Sequence, residues 1–360
     1  MSRIICTMSI LLLVVFSAEA KLIKIPADYP KIQAGIDAAA QNDTVLVADG
    51  TYYENINFKG KAISVASYFI VDGDTTHINN TIIDGSKPSH ADSGSVVFFV
   101  SGEDTTSVLC GCTITGGTGT LTTQPGGSVR VGGGIFCYNS GARIINNKII
   151  ENAVHSPDKD VYGGGLAALP ISSTAYVILQ DNQISHNTLT ADLKEVAGGG
   201  VELMGNGILV NNLISYNSIV HNATNYQAFS GGVDYWSKAS DRRKVIVESN
   251  KITHNSVISK SNVLEPSATG GGISFFGSFG RCAKNEISYN ELWANSNKGA
   301  GGAGIFINQA PSLIIAGNII HNNAVKRGYG YGGGVLIGNY SSPMVINNII
   351  DGNSATVVAA

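Results

Sequence analysis

Glu202 and Asp234 occupy the same place in two successive repeats, Gly198-Gly199-Gly200-Val201-Glu202 and Ser230-Gly231-Gly232-Val233-Asp234. On adjacent strands of a stacked structure their backbones would lie roughly 5 Å apart. Two carboxylates that close can hold Ca²⁺ through their oxygens, or act as proton donor and base on a glycosidic bond. Trp236 and Phe276 fall beside them and would offer faces of the kind that suit sugar rings, and Lys238 can point the same way. His221, Tyr226, Arg242 and Arg243 are close by in sequence and could supply a base or a clamp for an acidic group. The plainer alternative is that the two acids are solvated and the aromatic rings pack under neighbouring loops.

What must position these residues is a repeat. It opens with a glycine run and an aliphatic residue, as in Gly132-Gly133-Gly134-Ile135, and closes with Asn-x-Ile-x-x-Asn, as in Asn147 to Asn152. The closing half recurs at Asn182, Asn212, Asn250, Asn285, Asn318 and Asn348. A spacing of about 33 residues marks a solenoid. The aliphatic position (Ile135, Leu166, Val201, Val233, Ile273, Ile305, Val335) and the position two residues on (Cys137, Ala168, Leu203, Tyr235, Phe275, Ile307, Ile337) are apolar throughout. Burial with period two at one place in every repeat predicts stacked strands sharing an interior. The residues between them, Phe136, Ala167, Glu202, Asp234, Ser274, Phe306 and Leu336, must then point outward. The Asn columns suit sharp corners, because Asn tolerates left-handed backbone and its amide can bond the same amide one coil away. Between each Asn corner and the next glycine run lies an insert of variable length, for example 153 to 162 and 188 to 197. These inserts are expected to be loops that leave one edge and wall the glycine strand. A second column, Glu151, His186, Tyr216, His254 and Tyr289, reads as a stacking ladder rather than a metal site, since its histidines stand two coils apart.

Residues 1 to 20 carry Arg3, an apolar run from Ile4 to Phe16 and Ala18-Glu19-Ala20, the pattern of a cleaved signal peptide. Export to a periplasm, the cell surface or the medium is expected, with Lys21 first in the mature chain. No other stretch suggests a membrane span. Cys110, Cys112, Cys137 and Cys282 are too few for a disulfide framework and read as buried or incidentally bridged. Charged residues make up 14% of the chain and the net charge is −3, which gives no electrostatic case for nucleic acid. Near the start, Lys31 to Ala40 has helical spacing and would cap the first coil, and Thr44 to Ala48 reads as a strand.

The run from Ile25-Pro26-Ala27-Asp28-Tyr29-Pro30 through Ile32-Gln33-Ala34-Gly35-Ile36, followed by Asp43-Thr44-Val45-Leu46-Val47-Ala48-Asp49-Gly50-Thr51-Tyr52, resembles the opening of pectin-lyase-like proteins. The Asn-x-Ile-x-x-Asn repeats resemble the coils of the same superfamily. The resemblance implies an all-β, single-stranded right-handed parallel β-helix with a short N-terminal capping α-helix, spanning residues 21 to 360 and either continuing beyond or open at its C-terminal end. It also implies a substrate groove on the strand that follows the long loops. Activities in that superfamily range from lyases, esterases and hydrolases to adhesins without catalysis. The sequence lacks Asn-Thr-Asp with Gly-His-Gly, Trp-Ile-Asp-His, Asp-Pro-His-Glu and Asp-Phe-Ile-Phe-Gly, the signatures of its best-known enzymes. The leading expectation is a secreted β-helix that binds a polysaccharide or cell-surface glycan in the groove beside the inserts. A polysaccharide lyase or glycoside hydrolase built on Glu202 and Asp234 is the first alternative, and a structural or adhesin-like segment the second. Calcium at Glu202 and Asp234 is the one cofactor these residues suggest.

Overall fold

A computed structural model describes residues 19–124, 126–169, 175–238, 241, 243–263, 267–295 and 298–356. The chain is a right-handed parallel β-helix, and among the described residues its strands form five sheets that run along the axis. One coil shows the path: Ile135–Tyr138, Ala142–Ile145, Lys148–Ile150, Ala153–Ser156 and Asp160–Tyr162, after which Leu166–Leu169 begins the next. We name the sheets by these members in turn: the glycine sheet, the back sheet, the corner sheet, the lobe sheet and the rim sheet. Among the described residues pairing is parallel, save where Gly119–Gln124 folds back on Gly127–Val131 and pairs with Ser93–Gly94, and in register except for a bulge where Glu291–Trp293 meets Ala324–Arg327. That hairpin extends the rim sheet at one end.

The lobe and rim sheets correct the expectation that the inserts are loops. Residues 153 to 162 hold two strands, as do 188 to 197, and both sets stack from coil to coil. The two sheets close on a second core of Val154, Val161, Leu189, Val196, Ile219, Ala228, Val257 and Leu292. It is separate from the main core, where Ile135, Leu166, Val201, Val233, Ile273 and Ile305 stack on the glycine sheet. The expected inward columns of the glycine strand lie in that main core, down to Tyr235 and Phe275, and only Ile337 in the last coil is exposed. At the start, the helix Ile32–Ala38 lays Ile32 and Ile36 over the first strands, and Glu54 accepts from the Ile32 and Gln33 amides at 2.9 and 3.0 Å.

The Asn columns bond along the axis as expected, but the left-handed residue is the one before each Asn. Asp181, Asn211, His186 and Tyr216 have φ of 55, 56, 58 and 57°. The Asn itself points inward. Asn217 donates to Ile184 O at 2.9 Å and to Asn255 Oδ1 at 3.0 Å, while its Oδ1 accepts the Asn187 amide groups at 3.1 and 2.9 Å. The side chain thus meets backbone groups that the tight corner leaves unpaired. In the glycine run the first residue is left-handed, with φ of 71° at Gly198, and a Cβ on the third, Gly200, would meet Gly232 O at 2.7 Å. Ser230 takes the first place in its coil with φ of 51°, a conformation a side chain adopts at a cost of about 1–2 kcal/mol.

The ladder of the second column is present. His186 and Tyr216 stack at 5.2 Å, Tyr216 and His254 at 4.8 Å, and His254 and Tyr289 at 5.0 Å, with rings within 20° of parallel. Cys110, Cys112, Cys137 and Cys282 are unpaired and buried. No helix among the described residues is long and apolar enough to cross a membrane. The proposed signal segment falls almost wholly in residues 1 to 18, outside the described residues.

Candidate active site and ligand cleft

The outward column forms as the repeat requires: Phe136, Ala167, Glu202, Asp234, Ser274, Phe306 and Leu336 pair in register across seven coils. Outward here does not mean exposed. The rim sheet folds over the glycine sheet, so Glu202 is fully buried and Asp234 is 4% exposed. Facing them from the rim is a column of Asp160, Glu195 and Gln227, each three residues before its glycine run. Two residues on in each rim strand stand Tyr162, Ala197 and Phe229. At the hairpin end of the cleft the two walls meet through Val129, Val131, Phe136, Tyr162 and Leu169. In the middle they part around a cavity of about 430 Å³.

Glu202, Asp234, Trp236 and Phe276 all line this cavity, together with Asp160, Glu195, Gln227, Tyr162, Phe229 and Met204. Trp236 and Phe276 lie nearly parallel, 12° apart with centroids at 6.3 Å, and Trp236 is 37% exposed at the mouth. Four side-chain acids therefore border one space. Both oxygens of Glu202 are buried and meet no nitrogen or hydroxyl donor; their one polar neighbour among the described residues is the Asp234 carboxyl. Burial first, then the charges of Asp234 and Glu195, push its proton affinity well above the usual carboxylate range. Asp234 is raised too, by burial and by Glu195, while the hydroxyls of Ser230 and Ser274 pull the other way. Those two hydroxyls bond each other at 2.7 Å, so the left-handed Ser230 places a polar atom beside Asp234 where other coils have glycine. Glu195 is pushed up to about 7 by burial and the neighbouring Asp160, against a hydrogen bond from the Tyr162 hydroxyl at 3.4 Å. Burial, then Glu195, raises the Tyr162 phenol in turn. Burial and crowding thus raise the proton affinity of Glu202, Asp234 and Glu195 alike, the condition for a carboxyl that gives up a proton near neutral pH.

Other expected residues stand elsewhere. His221 is buried in the lobe, with Nδ1 on Ser259 Oγ and Nε2 on Lys194 O, both at 3.0 Å, and burial lowers its proton affinity. It was expected at the groove because it is near Asp234 in sequence, but its strand Ser218–His221 belongs to the lobe sheet. Tyr226 accepts a hydrogen bond from Lys194 Nζ at 3.0 Å and lies outside the cavity. Lys238 is exposed, past the cavity mouth. Arg243 also lies outside the cavity, and Arg242 falls outside the described residues. Calcium was expected at Glu202 and Asp234. Among the described residues no group of three or more His, Cys, Asp or Glu side chains is arranged to hold a metal ion.

Asp160, Glu195, Tyr162 and Gln227 were not anticipated. Their signal was present in the fixed distance before the glycine run, once the inserts are aligned from their C-terminal ends. No family model matches the chain, and no curated protein matches it. Among solved structures it is similar to the pectin methylesterase from Aspergillus niger, with 10% identity, a TM-score of 0.38, and coverage of 96% of this chain and 92% of that one. A likeness that distant adds nothing to the reading of the site.

Proposed function

We propose that the chain binds a saccharide segment in the cleft between the glycine and rim sheets. The observation that carries this reading is the placing of a parallel Trp236–Phe276 pair and a buried set of acids in one 430 Å³ cavity. Sugars need both parts: a flat apolar face for the ring and acceptors for the hydroxyls. Trp236 and Phe276 take the ring, and Glu202, Asp234, Glu195 and Gln227 take the hydroxyls. The raised proton affinity of the crowded acids favours a second reading, hydrolysis. Glu202 gives its proton to the glycosidic oxygen as the bond to the sugar carbon breaks, and Asp234 or Glu195 takes a proton from the attacking water. Elimination on an acidic sugar is less well supported, because among the described residues no Lys or Arg lines the cavity to neutralise a uronate.

The chain carries two tryptophans, so binding is followed by fluorescence in a Trp293→Phe background, leaving Trp236 as reporter. Oligosaccharides are added with and without Ca²⁺, which tests whether Glu202 and Asp234 hold the ion with the sugar completing its shell. The expected result is a saturable change, with binding by calorimetry weakened about 10-fold or more in Trp236→Ala. New reducing ends without an unsaturated sugar product, absent with Glu202→Gln, would establish hydrolysis. If no saccharide binds below millimolar concentration, the reading fails and the structural segment takes its place. Export is part of the proposal, and mass spectrometry of secreted protein should find Lys21 first.

A further inference from the structure

From the charge inventory of the cleft we infer that the saccharide it selects carries a protonated amine, as a glucosamine unit does. This rests on the saccharide reading above. Asp160 and Glu195 reach in from the rim and Glu202 and Asp234 from the glycine sheet, and among the described residues no Lys, Arg or His lines the space between. None of the four is in an ion pair among the described residues. The bases adjacent in sequence are engaged elsewhere: Lys194 with the Tyr226 hydroxyl, Lys159 with Asp158.

An acid cluster alone would say little, but Glu202 is a separate sign. It is fully buried, it lines the cavity, and among the described residues its oxygens meet no nitrogen or hydroxyl donor, only the like-charged carboxyl of Asp234. Native structures rarely leave a buried carboxyl without a donor, and a donor that arrives with a positive charge answers both the missing bonds and the crowded charge. An ammonium carries three donors, needs no fixed coordination shell, and is attracted to aromatic faces such as those of Trp236 and Phe229. A uronate would instead add a fifth carboxylate. An acetylated amine fills the same space but brings one donor and no charge.

The test is calorimetry on the whole chain with four β-1,4-linked oligosaccharide sets of equal length: free glucosamine, N-acetylglucosamine, glucose and uronate. The free amine is expected to bind about 10-fold or more tighter than the acetylated and neutral sets, with no binding of uronate. The preference should shrink towards unity in Glu202→Gln and in Glu195→Gln, whose half-buried position makes it the safer variant for folding. Titrating the amine in two buffers of different ionisation heat near pH 6 should show proton release, because the ammonium displaces protons held by Glu195, Glu202 and Asp234. Equal or weaker binding of the free amine overturns the inference while leaving the saccharide reading in place. Binding of cyclohexylamine or spermidine with no oligosaccharide bound would overturn the saccharide reading and the inference with it, leaving a site for amines alone. If neither class binds, both are wrong.

Discussion

Replacing Glu195 with Gln should flatten the pH dependence of stability. In the folded chain, burial and Asp160 hold the Glu195 proton until about pH 7, whereas an ordinary glutamate releases it near 4.5. Between those values the folded state binds more protons than the unfolded one, so stability falls as pH rises. The contribution is fully present below 4.5 and lost above 7. At about 1.4 kcal/mol per pH unit, the interval corresponds to about 3–4 kcal/mol. Water at the cavity mouth reaches the half-buried carboxyl and trims this to about 2 kcal/mol. Urea unfolding from pH 4.5 to 8.5 should show the wild type losing that much more than Glu195→Gln, with unchanged slopes. Parallel curves would refute the reasoning, and a wild type that gains on the variant with rising pH would mean that Glu195 ionises beside an unseen cation.

Two further substitutions probe the scaffold. Asn217→Ala removes four hydrogen bonds and strands the Asn187 amide and Ile184 carbonyl in the interior. A loss of about 3–5 kcal/mol in urea unfolding is expected. Tyr216→Ala breaks two exposed ring stacks and should lower stability by about 1–2 kcal/mol, with saccharide binding unaltered.

The fold was legible because one side chain per coil repeats its environment. Ile135 and its counterparts had to share an interior, and that register carried Glu202 beside Asp234 without any structural input. What could not be read was the fate of the inserts. Strands such as Val196–Ala197 and Ala228–Phe229 are two residues long, too short to show alternation, and they are separated by stretches of unequal length. With the rim sheet unseen, Glu202 read as a surface acid, and Glu195 and Asp160 had no place in the argument. His221 misled for the same reason, since nearness in sequence to Asp234 was taken as nearness in space across a fold that sends the two to different sheets. The corners were read one residue out: Asn tolerates left-handed backbone, but here its amide is needed inside the coil, so His186 and Tyr216 take the strained angle instead.

The two walls of the cleft belong to two different cores. The wall with Glu202 and Asp234 is backed by Val201, Leu203, Val233, Tyr235, Ile273 and Phe275, while the rim is backed largely by smaller side chains such as Val161, Val196, Ala228 and Ala268. Less apolar surface is buried behind the rim, so it should open at lower free energy than the scaffold it faces. In hydrogen-exchange terms, the amides of Asp160–Tyr162 and Val196–Ala197 would exchange ahead of those in Leu166–Leu169 and Val201–Leu203. A ligand seated between them would slow the first pair and leave the second unchanged. The cleft then behaves as a rigid bed under a yielding wall, admitting its occupant by motion of the rim alone while the acids on the bed keep their spacing.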